Sequence, residues 1–143
     1  KLRERQCVAQ PVRLAHISLP VVESIGELAF SDCESLRSVA LVARDFEDAA
    51  FADCSQLRAV SLPYARIGSA ELFERCTALE SVSMPAVRRL RPGVFWACSS
   101  LATISLPYVR VVEQLAFAHC TRLETVFFAG SRLRGGWCIR QML

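Results

Sequence analysis

The chain has 143 residues, 52% of them apolar, and a formal net charge of +3. This length suits one domain with one continuous core, and no apolar run approaches the roughly 18 residues that span a membrane. The charge is uneven: residues 1–57 carry six basic and nine acidic side chains, and residues 58–143 carry eleven and five. A net positive charge this small argues against specific nucleic-acid binding, because domains that bind nucleic acids are usually strongly basic.

The chain begins with an irregular segment, residues 1–13, which we interpret as a degenerate half repeat or an N-terminal flank. The start at Lys1, with neither Met nor an apolar leader, indicates a fragment. A strand is predicted over residues 14–20, where Ile17 and Leu19 alternate with polar neighbours, the period of a strand with one buried face.

A short helix is predicted behind each strand. In the first unit Ile25, Ala29, Phe30 and Cys33 fall at i, i+4, i+5 and i+8, which gathers them on one helix face. Related spacings return in later units, and Pro92 stands where a helix could start without needing its N–H.

The pattern Phe-x-x-Cys-x-x-Leu-x-x-Val/Ile-x-Leu, first seen from Phe30, occurs in five copies. The repeat array is predicted over 14–130, and residues 131–143 are interpreted as a degenerate last repeat or a C-terminal flank. We expect the natural array to extend beyond one or both ends, because no polar cap is evident. The repeats start at Leu14, Leu36, Leu57, Leu79, Leu101 and Leu123, in steps of 22, 21, 22, 22 and 22 residues.

One repeat cannot be stable alone. The conformational entropy lost in ordering its 22 residues exceeds what the burial of six side chains recovers. Stacking on neighbours must supply the rest. The expected fold is an α/β solenoid with about six parallel strands on one face and short helical turns on the other.

Five of the seven cysteines recur with the repeat and are predicted to be buried, unpaired thiols. A zinc site is disfavoured, because the chain has no Cys-x-x-Cys and only two histidines. Cys7 and Cys138 fall outside the repeat and are left unassigned. The repeating cysteines are Cys33, Cys54, Cys76, Cys98 and Cys120.

A 20–29-residue period with Leu-x-x-Val/Ile-x-Leu on the strand is the signature of a leucine-rich repeat. This variant resembles the BspA-type leucine-rich repeat family, over about residues 14–128. Val42 departs from the family's proline, and the units are one residue shorter than usual. Matching positions in the first unit are Leu14, Ile17, Leu19, Pro20, Val22, Ile25, Gly26, Ala29, Phe30 and Cys33.

The resemblance implies a non-catalytic interaction module without a cofactor, often at a cell surface and linked to adhesion. The residues agree, since His119 and Cys120 are the only adjacent His/Cys pair and would point about 100° apart on a helix. Gly135-Gly136 is interpreted as a turn rather than a phosphate loop. Catalytic, cofactor and metal sites are therefore not expected.

The solvent-facing strand positions are mostly small, such as Ser38, Ser61 and Ser83. They form either a plain solvated face or a smooth strip that a partner approaches closely. In the second case Tyr64 and Tyr108, which follow the prolines, would be aromatic anchors at its edge.

A charged column is predicted three residues past the proline position, with its first two members acidic and its last three basic. Stacked like charges do not stabilise a fold, so either the arginines extend into water or they bind an acidic partner, such as a sulfated glycan or an acidic protein segment. The column reads Glu23, Asp45, Arg66, Arg88 and Arg110.

Two classes of function remain. One is a protein- or glycan-binding scaffold on a cell surface or secreted, and the other is an intracellular interaction segment of a larger signalling or structural protein. The sequence of the full-length protein would separate them, since a signal peptide or anchor supports the first.

Overall fold

The computed structural model describes residues 14–19 and 21–128, which form a solenoid of parallel strands. Its main sheet has six strands in chain order, so each repeat adds one strand beside the previous one. The prediction of about six parallel strands is thereby confirmed. The strands are β1 (His16–Leu19), β3 (Ser38–Leu41), β5 (Ala59–Ser61), β7 (Ser81–Ser83), β9 (Thr103–Ser105) and β11 (Thr125–Phe127).

A second set of two-residue strands follows the main strands along the chain. These pair in parallel as β2–β4 and β6–β8–β10. Most neighbouring coils are therefore joined by a short strand pair as well as by the main sheet, but β4 and β6 lie in separate sheets and do not pair. The short strands are β2 (Ser24–Ile25), β4 (Asp45–Phe46), β6 (Ile67–Gly68), β8 (Arg89–Leu90) and β10 (Val111–Val112).

Columns of identical residues fill the core, as the repeat predicts. The leucines that start the second to sixth repeats are all buried. Beside them five phenylalanine rings stack face to face, with centroids 5.3–5.7 Å apart and planes within 14° of parallel. The stacked rings are Phe30, Phe51, Phe73, Phe95 and Phe117.

The predicted helices are wrong. Residues 14–19 and 21–128 contain no helix, and the stretch behind each strand is a series of turns. The expected inward-facing set of Ile25, Ala29, Phe30 and Cys33 is nevertheless buried. Pro92 does not start a helix; its carbonyl accepts a hydrogen bond from the Glu71 N–H of the preceding coil at 3.0 Å.

Backbone geometry explains why no helix forms. Each coil places two residues at positive φ, such as Leu28 (54°) and Asp32 (59°), and a right-handed helix does not accommodate that conformation. Their N–H groups donate to carbonyls of the neighbouring coil, those of Asp48 (3.2 Å) and Ala52 (2.9 Å), rather than to residues four positions earlier. The turns are thus held by hydrogen bonds between coils.

The cysteine column is buried, and four of its members are free thiols. Each thiol donates to the carbonyl of a phenylalanine in the preceding coil at 3.0–3.2 Å. The prediction is wrong for Cys33, which is disulfide-bonded. The repeat explains why Cys33 is buried, but burial does not distinguish a free thiol from a disulfide-bonded sulfur. The free thiols are Cys54, Cys76, Cys98 and Cys120.

The segments 1–13 and 131–143, with Cys7 and Cys138, lie outside the described residues. Within the described part of the chain, no helix is long and apolar enough to cross a membrane.

Candidate functional site

The arginines of the charged column follow one another along one edge of the solenoid. The Arg88 N–H donates to the Arg66 carbonyl at 2.8 Å, and the Arg110 N–H donates to the Arg88 carbonyl at 2.8 Å. All three side chains are exposed. Since parallel strands lie about 4.8 Å apart, three guanidinium groups leave the backbone at that interval.

The second coil does not fit the predicted column. Asp45 pairs with Ser24, so Arg44, rather than Asp45, lies opposite Glu23. Arg44 and Arg66 occupy the same position in their coils, because each lies five residues before the first positive-φ residue of the coil, Ala49 or Glu71. The column therefore contains one acidic and four basic residues. We call Arg44, Arg66, Arg88 and Arg110 the arginine ladder.

A missing residue causes this shift. Leu19 pairs with Leu41, and Ser24 pairs with Asp45. Four residues, 20–23, lie between these pairing positions in the first coil, but only three, 42–44, lie between them in the second. The exposed Val42 is followed directly by the buried Ala43. The second coil therefore lacks the outward-facing residue that is Tyr64 in the next coil.

The ladder side chains form no ion pair with any residue in the described ranges, although other arginines of the array do. Arg75 and Arg91 lie 2.6 and 3.2 Å from aspartate oxygens, and Arg58 lies 3.9 Å from a glutamate oxygen. Adjacent like charges in water repel by at most about 1 kcal/mol at 4 Å. The fold thus tolerates the ladder but gains no stability from it.

Tyr64 and Tyr108 both lie on the ladder side of the solenoid, with 53% and 65% of their surface exposed. They belong to the same outward-facing column, two coils apart, with Ala86 between them. The structure therefore does not bring the two tyrosines into one aromatic cluster. Each is instead a separate exposed ring beside the arginine ladder.

The missing residue leaves an open groove of about 630 Å³ next to Tyr64. We call this the link groove. Val21 (80% exposed) and Val42 (38% exposed) supply further apolar lining. The sequence interpretation missed this groove, although the 21-residue second repeat was the signal that could have revealed it. Its remaining lining residues are Val22, Glu23, Arg44 and Asp45.

A second polar cluster lies on the turn side. The Arg75 guanidinium forms two hydrogen bonds to the Asp53 carboxylate, at 2.6 and 2.7 Å, and one to Glu74 at 2.8 Å. These bonds lower the pKa of Asp53, whereas burial raises the pKa of Glu74. Arg75 also lies over the Trp96 ring at 5.9 Å. Its charge is already matched, so this cluster contributes mainly to local stability.

His119 and Cys120 are not brought together. The Cys120 thiol donates to the Phe95 carbonyl at 3.0 Å, and burial raises its pKa to about 11. The His119 ring instead contacts Trp96 edge-on, with centroids 5.4 Å apart. Such a thiol is a poor nucleophile near neutral pH. No group of three or more potential metal ligands occurs within the described ranges.

The coil geometry defines the class: a solenoid of leucine-rich repeats whose strands line one face. A family model for the BspA-type leucine-rich repeat region matches residues 4–124 in six copies. The chain belongs to this family, as the sequence resemblance predicted. Comparison with curated proteins finds no significant match.

Solved structures show the same fold. A leucine-rich cell surface protein from Faecalibacterium prausnitzii aligns with TM-score 0.77 at 24% identity, over 85% of this chain and 36% of that one. A leucine-rich repeat protein from T. pallidum gives 0.74 at 28%, over 80% and 58%. One from Bacteroides ovatus gives 0.73 at 27%, over 78% and 30%. The chain thus spans between 30% and 58% of these proteins' lengths.

Proposed function

We propose that this chain is a non-catalytic binding segment of a larger protein, and that its arginine ladder holds an acidic protein or glycan partner. The observation that carries the proposal is the set of exposed arginine side chains on successive coils, with no ion-pair partner among the described residues. A guanidinium can hold a carboxylate or sulfate with two parallel hydrogen bonds, and consecutive guanidiniums along one edge suit a ligand with repeated negative charge.

A cell-surface or secreted location is part of the proposal. A solved structure with the same fold is described as a cell surface protein. The disulfide at Cys33 also supports an oxidising compartment, because disulfides persist mainly outside the reducing cytosol.

The test compares two variants with the same loss of charge. In the ladder variant Arg66, Arg88 and Arg110 are replaced by Ser, and in the control the exposed residues Arg37, Arg58 and Arg122 are replaced by Ser. Binding to hexaglutamate and to a heparin hexasaccharide is measured by calorimetry at low and physiological salt.

We expect the ladder variant to lose binding to at least one ligand while the control variant keeps it. If both variants bind every ligand as well as the original protein does, the ladder is not a binding site. If the two variants lose binding equally, attraction is due to net charge alone, and the proposed site is also wrong.

A further inference from the structure

The link groove lies beside the first arginine of the ladder, because Arg44 lines both. Its apolar lining comes from Val21, Val42 and Tyr64, all well exposed to solvent. The groove exists because the second coil lacks one outward-facing residue. Its volume of about 630 Å³ leaves ample room for one large apolar side chain.

Charge differs along this edge. Around the groove, Arg44 is accompanied by the carboxylates of Glu23 and Asp45, so that end carries a formal net charge of −1 and does not attract anionic groups. By contrast, no carboxylate of the described residues lies within ion-pair distance of the Arg66 or Arg88 guanidinium. An uncharged side chain thus suits the groove end, and anionic groups suit the other end.

We infer that the link groove and the ladder together bind an acidic peptide segment that carries one apolar anchor residue at one end. This rests on the proposed function, and it specifies the partner as peptide rather than glycan. The anchor enters the groove beside Tyr64, and the acidic residues extend over Arg66, Arg88 and Arg110.

The dimensions are compatible with a short peptide. Three coil steps from Arg44 to Arg110 cover about 14 Å at roughly 4.8 Å each, and an extended peptide covers this in four or five residues at about 3.4 Å per residue. A sulfated glycan also matches the guanidiniums, but it lacks an aliphatic or aromatic side chain to fill the groove.

The test uses the full chain and unlabelled peptides in calorimetry. The probes are pentaglutamate with Phe at its amino end, pentaglutamate with Phe at its carboxyl end, and the same peptides with Gly in place of Phe. Tyr64→Ser is the groove variant. Tyr108→Ser is the matched control, since it removes the same exposed residue from the same column two coils away.

At least one Phe peptide should bind the original protein about tenfold more tightly than its Gly counterpart. Tyr64→Ser should abolish the preference for Phe over Gly peptides, and Tyr108→Ser should keep it. Circular dichroism should show the same fold for both variants.

Equal binding of the Phe and Gly peptides, or an equal effect of the two tyrosine variants, overturns the anchored-peptide inference. In either case the proposed function still stands if the arginine variant binds less well than its charge-matched control. Tighter, ladder-dependent binding of the heparin hexasaccharide overturns the peptide assignment in favour of a glycan. If the ladder variant binds every ligand as tightly as its charge-matched control does, the proposed function itself is refuted.

Discussion

The phenylalanine stack offers a direct measure of how the coils stabilise one another. Phe73 is fully buried and lies 5.7 Å, centroid to centroid, from both Phe51 and Phe95. Phe73→Ala is expected to cost about 3–5 kcal/mol, as for other large-to-small core substitutions. That cost combines lost burial, a cavity and lost ring contacts, so it does not isolate the stacking.

A double-mutant cycle with Phe→Leu changes separates these contributions, since Leu keeps much of the buried volume. Substitution of Phe73 and Phe95, whose rings are in contact, should give a coupling energy of about 0.5–1.5 kcal/mol. Phe51 and Phe95 are not in contact, because Phe73 lies between them, and their coupling should be below about 0.5 kcal/mol.

The assay is urea unfolding monitored by circular dichroism, and the unfolding free energy of each variant is obtained by linear extrapolation to zero denaturant. Phe127→Leu serves as the control, because the Phe127 side chain is 56% exposed. Equal coupling for the adjacent and the separated pair would refute the reasoning. It would mean that the stabilisation is spread over the array instead of passing between neighbouring coils.

Three further predictions concern the turns. Gly93→Ala should destabilise the fold by about 1 kcal/mol, because φ is +65° at this position, although the added Cβ would make only ordinary van der Waals contacts. Gly93→Asn should cost less in the same urea assay, because Asn adopts positive φ more readily. Asp53→Asn should cost at most about 1 kcal/mol at pH 7. Arg75 lowers the pKa of Asp53 in the folded state, so the ion pair stabilises the fold fully above the ordinary value of 3.8 and loses this effect as the pH falls through the folded pKa. The unfolding free energies of the wild type and the variant should therefore become equal in acid. Burial raises the pKa of the Cys98 thiol, so mass spectrometry should find it labelled by iodoacetamide only upon unfolding; rapid labelling of the native protein would contradict its burial.

Periodicity alone was enough to predict the solenoid, because the leucines and phenylalanines repeat at nearly constant steps and all must face one core. It could not distinguish a helix from turns. The spacing of Ile25, Ala29, Phe30 and Cys33 buries the same side chains in both conformations. What differs is where the backbone N–H groups donate, and in this fold they donate to the neighbouring coil.

The charged column shows a second limit. A 21-residue repeat reveals that one residue is missing but not where, and counting from the proline position placed Asp45 in the column instead of Arg44. The pairing of Asp45 with Ser24 locates the deletion before Arg44. Whether the predicted residues Arg66, Arg88, Arg110, Tyr64 and Tyr108 bind a partner remains a prediction.

The turns that replace helices also determine how strongly the solenoid curves. Packed helices need 8–10 Å between their axes, so repeats with helices behind the sheet spread apart on that side and bend the array. Here the phenylalanine rings behind the sheet repeat every 5.3–5.7 Å, close to the strand spacing of about 4.8 Å. Successive coils are therefore nearly parallel, and the ladder arginines leave the surface side by side instead of fanning out. Such an edge favours a ligand that remains straight across several coils.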